Sequence, residues 1–209
     1  MKYRLILLVL LVCAIVWSAI SPVSLGDWVL EILPVFITLP IVFYLHKHYS
    51  LSRVSYTLIF IYMLMPIAQA HYEVARVPLG FAISDWLGII GRNSFDRLTH
   101  FAFGLLTFYP LYEVAAQTLK KKNITHFYSA FSTIMAVSSV YEIIELTVRQ
   151  TASQNLSFLF VAAQGDFWDT SKDMAMSLIG CVLAMLITII YSSIISRRSQ
   201  KAFSQRSHQ

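Results

Sequence analysis

The sequence predicts an all-α, polytopic integral membrane protein with about six transmembrane helices. Of its 209 residues, 57% are hydrophobic and only 13% are charged, and the mean hydropathy is +0.64. A soluble domain carries roughly 25% charged residues. Lipid offers no hydrogen bonds to an open backbone, and the apolar stretches are too long for barrel strands, so we expect the spans to be helices.

Six stretches of the chain approach or reach the roughly 20 apolar residues that a spanning helix requires. They lie at residues 5–20, 28–45, 54–70, 98–116, 127–146 and 174–195. The first is interpreted as a retained helix rather than a signal peptide, because its apolar core is long and no A-x-A cleavage site follows it. The segment 81–90 is too short to cross and predicts an interfacial helix or a re-entrant segment. We expect residues 1–209 to form a single membrane domain.

The lysines and arginines fall in alternate loops, which predicts the orientation of the chain. The residues on one side are Lys2, Arg4, Lys47, Arg53, Lys120, Lys121, Lys122, Arg197, Arg198, Lys201 and Arg206. Basic loops remain in the cytoplasm, so both termini are expected there, in a bacterial inner (plasma) membrane. The residues at the opposite boundary include Trp17, Trp28, Trp86 and Trp168, and indole rings favour the headgroup zone.

Composition and motifs exclude several functional classes. The net charge of +5 is carried by short basic runs between apolar stretches rather than by a basic face, so no nucleic-acid partner is predicted. Cys13 and Cys181 lie inside apolar runs without metal or redox spacing, and are interpreted as packing or lipid-facing residues. The sequence contains no nucleophile elbow, P-loop, dinucleotide fingerprint or HExxH motif. Membrane lipids are the expected partners.

Three segments carry ionisable residues at helical spacing, and all three are predicted to meet at the outer ends of the fourth, fifth and sixth helices. Their acidic and imidazole residues are Asp96, His100, Glu142, Glu145, Asp166, Asp169 and Asp173. Spacings of three and four place each set on one face of a helix. Six carboxylates stand against three nearby cations, which are Arg97, Arg149 and Lys172. The excess negative charge must be protonated, solvated or neutralised by a cation.

This constellation favours two kinds of chemistry, beside the structural alternative of a salt-bridge network at the headgroup level. Carboxylates with histidine suit a divalent metal such as Mg, Mn or Zn, and the candidate metal ligands are Asp166, Asp169 and Asp173. Acid–base catalysis is the second, and its candidates are Asp96, His100, Glu142 and Glu145. The candidate substrate-binding residues are Arg97, Arg149, His71 and Glu73, of which the last two form a polar cluster near the third helix.

The same segments resemble a known family. The parts that carry the resemblance are residues 71–73, 93–101, 141–145 and 165–174. They are similar to the bacterial inner-membrane family exemplified by YjdF, a domain-of-unknown-function family, and the similarity extends over the whole chain. The resemblance implies a multi-pass inner-membrane protein and no particular reaction.

A more distant similarity to VanZ-like membrane proteins, which are linked to glycopeptide-antibiotic tolerance, covers only the last three helices. Its first element is matched by Asp96, Arg97, His100 and Phe101, and its second by Glu142 or Glu145. At the position of Asp173 that pattern usually has asparagine.

The sequence leaves three functional classes open, and each uses the outer acidic site. The first is an enzyme acting on a lipid or cell-envelope headgroup. The second is a non-catalytic membrane or assembly protein, in which the charges hold the helices together. The third is a small ion or proton-coupled transporter, which requires polar residues deeper in the membrane, where Glu113 and Gln117 are the main candidates.

Overall fold

The computed structural model describes residues 2–119, 123–151 and 164–206, without the side chains of Arg149 and residues 194–206. Every regular element in these ranges is helical, which confirms the all-α membrane fold. Lys120, Lys121 and Lys122 lie outside the described residues, as do the side chains of Arg149, Arg197, Arg198, Lys201 and Arg206.

Eight α-helices and one 3₁₀ turn make up the described part of the chain. The helices are α1 (Lys2–Ser18), α2 (Leu25–Glu31), α3 (Leu33–His48), α4 (Arg53–Tyr72), α5 (Pro78–Leu87), α6 (Phe95–Thr118), α7 (Asn123–Thr151) and α8 (Asp169–Arg206), and the 3₁₀ turn is Val74–Arg76. Among the described residues, four stretches are long and apolar enough to cross a membrane: Leu25–His48, Arg53–Tyr72, Asn123–Val148 and Asp169–Ser193. The number of six spans stays a prediction.

The stretch predicted as one helix at residues 28–45 is divided at Ile32 into α2 and α3. Pro34 stands in the first turn of α3, where a missing backbone N–H costs least, so proline favours a helix start here. The short segment predicted between residues 81 and 90 forms α5, which ends at Gly88 with a φ of 70°. Only glycine adopts this left-handed conformation without steric cost.

Two hydrophobic cores hold the bundle together. The first lies between α1, α3 and α4 and includes the turn at Ile32. Its buried residues are Leu11, Ile32, Val35, Ile59, Met63, Ile67 and Ala70. The second joins α6, α7 and α8 around Phe108, Ala130, Ile134, Cys181 and Ala184. Because α6 carries both an acidic first turn and a face of the second core, the packing of this core sets the position of the acidic residues.

Two glycines permit a close contact between α6 and α8. A Cβ atom at Gly104 would collide with the Ser177 carbonyl oxygen, and one at Gly180 would collide with the Phe101 carbonyl oxygen. Ser177 Oγ also donates to the His100 carbonyl at 3.2 Å, and Ser138 Oγ of α7 donates to Ser177 Oγ at 3.0 Å. The three helices are therefore in contact just below the acidic residues.

Candidate functional site

Acidic side chains from three helices meet at one end of the bundle, which we call the acidic end. Asp96 and His100 come from the first two turns of α6, Glu142 and Glu145 from the last third of α7, and Asp169 and Asp173 from the start of α8. None of these six residues is more than 6% exposed. We refer to Asp96, His100, Glu142, Glu145 and Asp173 together as the His100 centre.

The imidazole of His100 lies between carboxylates of two helices. Its Nε2 atom is 3.3 Å from Glu142 Oε1 and 3.6 Å from Asp96 Oδ1. The Tyr141 ring packs edge-on against the imidazole, with ring centroids 5.9 Å apart. Sequence spacing pairs His100 with Asp96 on the same helix, whereas in the structure its nearer partner is Glu142 of the neighbouring helix.

Two groups of three residues in the His100 centre lie close enough together that each could hold a metal ion. In one group, Asp96, His100 and Asp173 each offer an atom within 4.8 Å of the others, and in the second, His100, Glu142 and Glu145 do so. His100 is shared by both groups. Of the predicted metal ligands, only Asp173 belongs to one of these groups, and all three of Asp166, Asp169 and Asp173 also pair with Arg97.

Several carboxylate oxygens of the His100 centre are buried and accept no hydrogen bond from the described residues. Glu145 Oε2 and Asp173 Oδ2 are among them. Burying a charged oxygen without a hydrogen bond costs several kcal/mol (roughly 1–3 even for a neutral group), so such atoms usually have a ligand or a proton. The donor set of the His100 centre could therefore hold a cation or a proton.

Arg97 connects α6 to the beginning of α8. Its Nη1 atom is 2.6 Å from Asp173 Oδ1, and its Nη2 atom is 3.0 Å from both Asp169 Oδ1 and Asp166 Oδ2. Nη1 also donates to the Asp169 carbonyl at 2.9 Å. Arg97, predicted to bind substrate, is thus occupied by three carboxylates.

A second arginine, Arg92, was not among the candidates from the sequence. Its Nη2 atom lies 2.6 Å from Asp169 Oδ1, and its Nη1 atom lies 3.6 Å from Asp166 Oδ2. Arg92 belongs to the loop before α6, and no helical spacing relates it to α8. The one sequence signal for such a partner is the excess of acidic over basic residues near Asp169, which calls for a further cation.

Asp166 lies at the exposed edge of this network. Lys172 Nζ donates to Asp166 Oδ2 at 2.6 Å, and this hydrogen bond holds the pKa of the Asp166 carboxyl below its ordinary value, with smaller contributions from the Trp168 N–H and Arg92. Even with Arg92 included, six carboxylates stand against three described cations, so the excess of negative charge persists.

A further acidic group lies at the same end of the bundle, beside α4. It consists of Asp27 and Glu31 of α2 and Glu73 from the turn after α4, and we call it the N-terminal acidic cluster. These side chains are 2%, 6% and 2% exposed. Of these three residues, only Glu73 is a candidate predicted from the sequence, although Asp27 and Glu31 stand at i, i+4 spacing within an apolar stretch. The structure does not join His71 to this cluster, because its Nδ1 faces the Ser18 carbonyl at 3.2 Å and its ring stacks on Trp17.

Comparisons with known proteins agree with the membrane fold. The family model described as "Predicted membrane protein (DUF2238)" matches residues 3–193. The inner membrane protein YjdF of Escherichia coli (strain K12) is 29% identical to this chain over 175 residues, which cover 82% of each protein. No solved structure matches the chain. The protein is a multi-pass inner-membrane protein, and it belongs to the DUF2238 family of membrane proteins.

Proposed function

We propose that the protein is a divalent-metal-dependent enzyme that acts on the headgroup of a lipid or a lipid-linked cell-envelope component. The observation that carries this proposal is the pair of ligand groups that share His100, together with the buried Glu145 oxygen that has no donor among the described residues. A divalent cation would neutralise part of the excess acidic charge and satisfy that oxygen.

The ligand set that we favour is His100, Glu142 and Glu145. One nitrogen and two carboxylate oxygens suit zinc or manganese, which bind such atoms at about 2.0–2.2 Å. His100 already lies 3.3 Å from Glu142, and the Glu145 oxygen is available. Asp96 and Asp173 then remain beside the ligands, where one of them can exchange a proton with the reacting water.

A metal in this position would polarise a phosphoryl or carbonyl oxygen and lower the pKa of a bound water. Phosphate-containing headgroups are the substrate class that fits, because the cation would attract their negative charge. The aromatic side chains around the site support a lipid substrate. Phe167 and Trp168 stand 86% and 62% exposed just before α8, and Trp86 is 84% exposed at the end of α5. Such side chains favour the headgroup zone of a bilayer.

We further propose that the acidic end faces the periplasm and that both termini are cytoplasmic. The proposal rests on the basic residues at the opposite end, such as Lys2, Arg4 and Lys47. Cysteine accessibility labelling tests it, with single cysteines at Ile90 and His48, which are both exposed. Only the cysteine at position 90 should react with an impermeant reagent in intact cells, and the reverse pattern would contradict this orientation.

The metal proposal is tested by measuring metal in the purified full-length protein. Native mass spectrometry and elemental analysis should find one zinc or manganese ion per wild-type chain, and Glu145→Gln should lose it. The matched control is Glu113→Gln, because Glu113 lies at the opposite end and accepts hydrogen bonds from Ser52 N and Ser55 Oγ. Equal metal content in wild type and Glu145→Gln would contradict the proposal.

Enzymatic turnover needs a separate measurement. Lipid extracts incubated with wild-type protein and manganese should show a headgroup change by mass spectrometry, and Glu145→Gln should not produce it. Turnover that persists in chelator-treated wild-type protein would exclude the metal mechanism.

A non-catalytic membrane or assembly protein is the second candidate function, and the three carboxylates around Arg97 favour it. If the charges only join α6 to α8, exchanging the partners as Arg97→Asp with Asp173→Arg should preserve both folding and cellular function. Loss of function in a folded exchange variant would favour the enzyme. A transporter has less support, because Glu113, the main acidic candidate for such a role, already accepts hydrogen bonds from Ser52 and Ser55.

A further inference from the structure

The N-terminal acidic cluster is a group of three buried ionisable residues that the proposed metal site does not use. Its three carboxyls come from two parts of the chain, α2 and the turn after α4, and all are at least 94% buried. Arg76 is the one cation with a direct contact to the cluster among the described residues. Its Nε atom lies 3.1 Å from Glu73 Oε2.

Hydrogen bonds satisfy only part of the cluster. The backbone N–H of Val74 donates to Glu31 Oε1 at 3.1 Å, so the Glu31 carboxyl is directed toward the segment that carries Glu73. Asp27 Oδ1 and Glu31 Oε2 are buried and accept no hydrogen bond from the described residues. Asp27 and Glu31 also lie one helical turn apart, a spacing at which two negative charges repel each other.

The charges that surround the cluster are mostly acidic. Glu31 lies within electrostatic range of Asp27, Glu73 and Asp96. The Tyr141 hydroxyl is in range of Glu31 as well, while His71 of α4 is directed toward α1. One half-exposed arginine stands against three acidic side chains, so the cations in the described part of the chain do not balance the acidic residues of the cluster.

We propose that Asp27, Glu31 and Glu73 form a proton-binding site, separate from the His100 centre, in which at least one carboxyl is protonated at neutral pH. A proton fits better than a metal ion, because these three carboxyls are not among the described groups that bring three ligand atoms within 4.8 Å of one another. A proton also needs no cavity, and it supplies the hydrogen-bond donor that the buried oxygens lack. Burial raises the pKa of the Glu73 carboxyl above its ordinary value, although Arg76 opposes the shift.

Infrared spectroscopy of the detergent-purified full-length protein tests this site, because a protonated carboxylic acid has a carbonyl stretching band that an ionised carboxylate lacks. The wild-type spectrum at neutral pH should contain a component that is lost in Glu31→Gln or in Glu73→Gln. Glu113→Gln is the control, and the component should survive in it. The proposal is overturned if all four spectra show the same protonated-acid band, or if the component appears only when sodium or a divalent metal is removed.

A second measurement keeps the proposal testable if one of these variants folds poorly. An acid whose pKa is raised by folding binds more protons in the folded state, so it makes the protein less stable as pH rises from the unfolded pKa to the folded one. The thermal midpoint of the wild type should therefore fall over this pH range, and the fall should be smaller in Glu73→Gln. A pH dependence identical to that of the wild type would contradict the role of Glu73.

The metal content of the same variants separates this proposal from the proposed function. Glu31→Gln and Glu73→Gln should retain the metal ion of the wild type, because neither residue belongs to the His100 ligand groups. Loss of the infrared component with metal retained supports two independent sites. Loss of metal in both variants would show that the N-terminal acidic cluster is part of the metal centre and would overturn its independence.

Discussion

Glu113 and Glu145 lie at opposite ends of the helix bundle and have opposite hydrogen-bonding environments. Glu113 Oε2 accepts hydrogen bonds from Ser52 N at 2.9 Å and Ser55 Oγ at 2.7 Å, which join α6 to the start of α4. Glu145 Oε2 is buried without a donor among the described residues. The described residues therefore supply hydrogen-bond donors to Glu113 Oε2 but none to Glu145 Oε2, a difference that the proposed metal ion at the His100 centre would explain.

Removing Arg97 should have the largest effect, because Asp173 would lose the guanidinium that lies 2.6 Å from its Oδ1 atom, while Asp169 would keep only Arg92. Taking one partner from a buried ion pair costs about 3–5 kcal/mol, so Arg97→Ala should lower the unfolding free energy by that amount. Chemical or thermal unfolding in detergent measures the change. Arg53→Ala is the control, since Arg53 is exposed at the opposite end, and a comparable loss in both variants would contradict a special role for Arg97.

Gly104→Ala should have the next largest effect, through the packing below the His100 centre. Its Cβ would collide with the Ser177 carbonyl oxygen, and forcing a well-packed interface apart costs about 1–3 kcal/mol. Metal affinity should fall with stability, because α6 and α8 carry Asp96, His100 and Asp173. Gly26→Ala is the matched control, since the atom nearest to a Cβ at that position is Ser24 Oγ at 3.9 Å. Equal stability of the two variants would exclude a tight contact at Gly104.

Replacing Glu113 or Glu145 by glutamine in chelator-treated protein should change the unfolding free energy in opposite directions. Glu113→Gln should lower the unfolding free energy by about 1 kcal/mol, because two hydrogen bonds to a charged acceptor are weakened. Glu145→Gln should raise it by about 1–2 kcal/mol, because an unpaired buried carboxylate is removed. Adding manganese should reverse the sign for Glu145→Gln, since only the wild type then gains binding energy. Destabilisation by Glu145→Gln without metal would indicate a structural role.

The sequence was sufficient to predict the helical membrane fold and the three acidic segments, because apolar length and i, i+4 spacing are local properties. It could not pair His100 with Glu142, since that contact depends on how α7 rotates against α6. The N-terminal acidic cluster was also missed. The three carboxyls meet because the helix is interrupted at Ile32 and because the backbone of Glu73 has a positive φ of 64°. Neither feature follows from hydropathy.

Lys172→Ala should have the smallest effect, because it removes the exposed member of the ion-pair network. Lys172 is 54% exposed, and exposed ion pairs contribute at most about 1 kcal/mol. The pKa of Asp166 should rise, since the Lys172 hydrogen bond is the main cause of its depression. A depressed pKa stabilises the fold above the unfolded pKa, and this contribution is lost as pH falls through the folded value. Acid titration of Asp166 by NMR should therefore shift upward in Lys172→Ala while metal content stays unchanged. A loss of metal would instead show that Asp166 and Lys172 contribute to the His100 centre rather than to a separate ion-pair network.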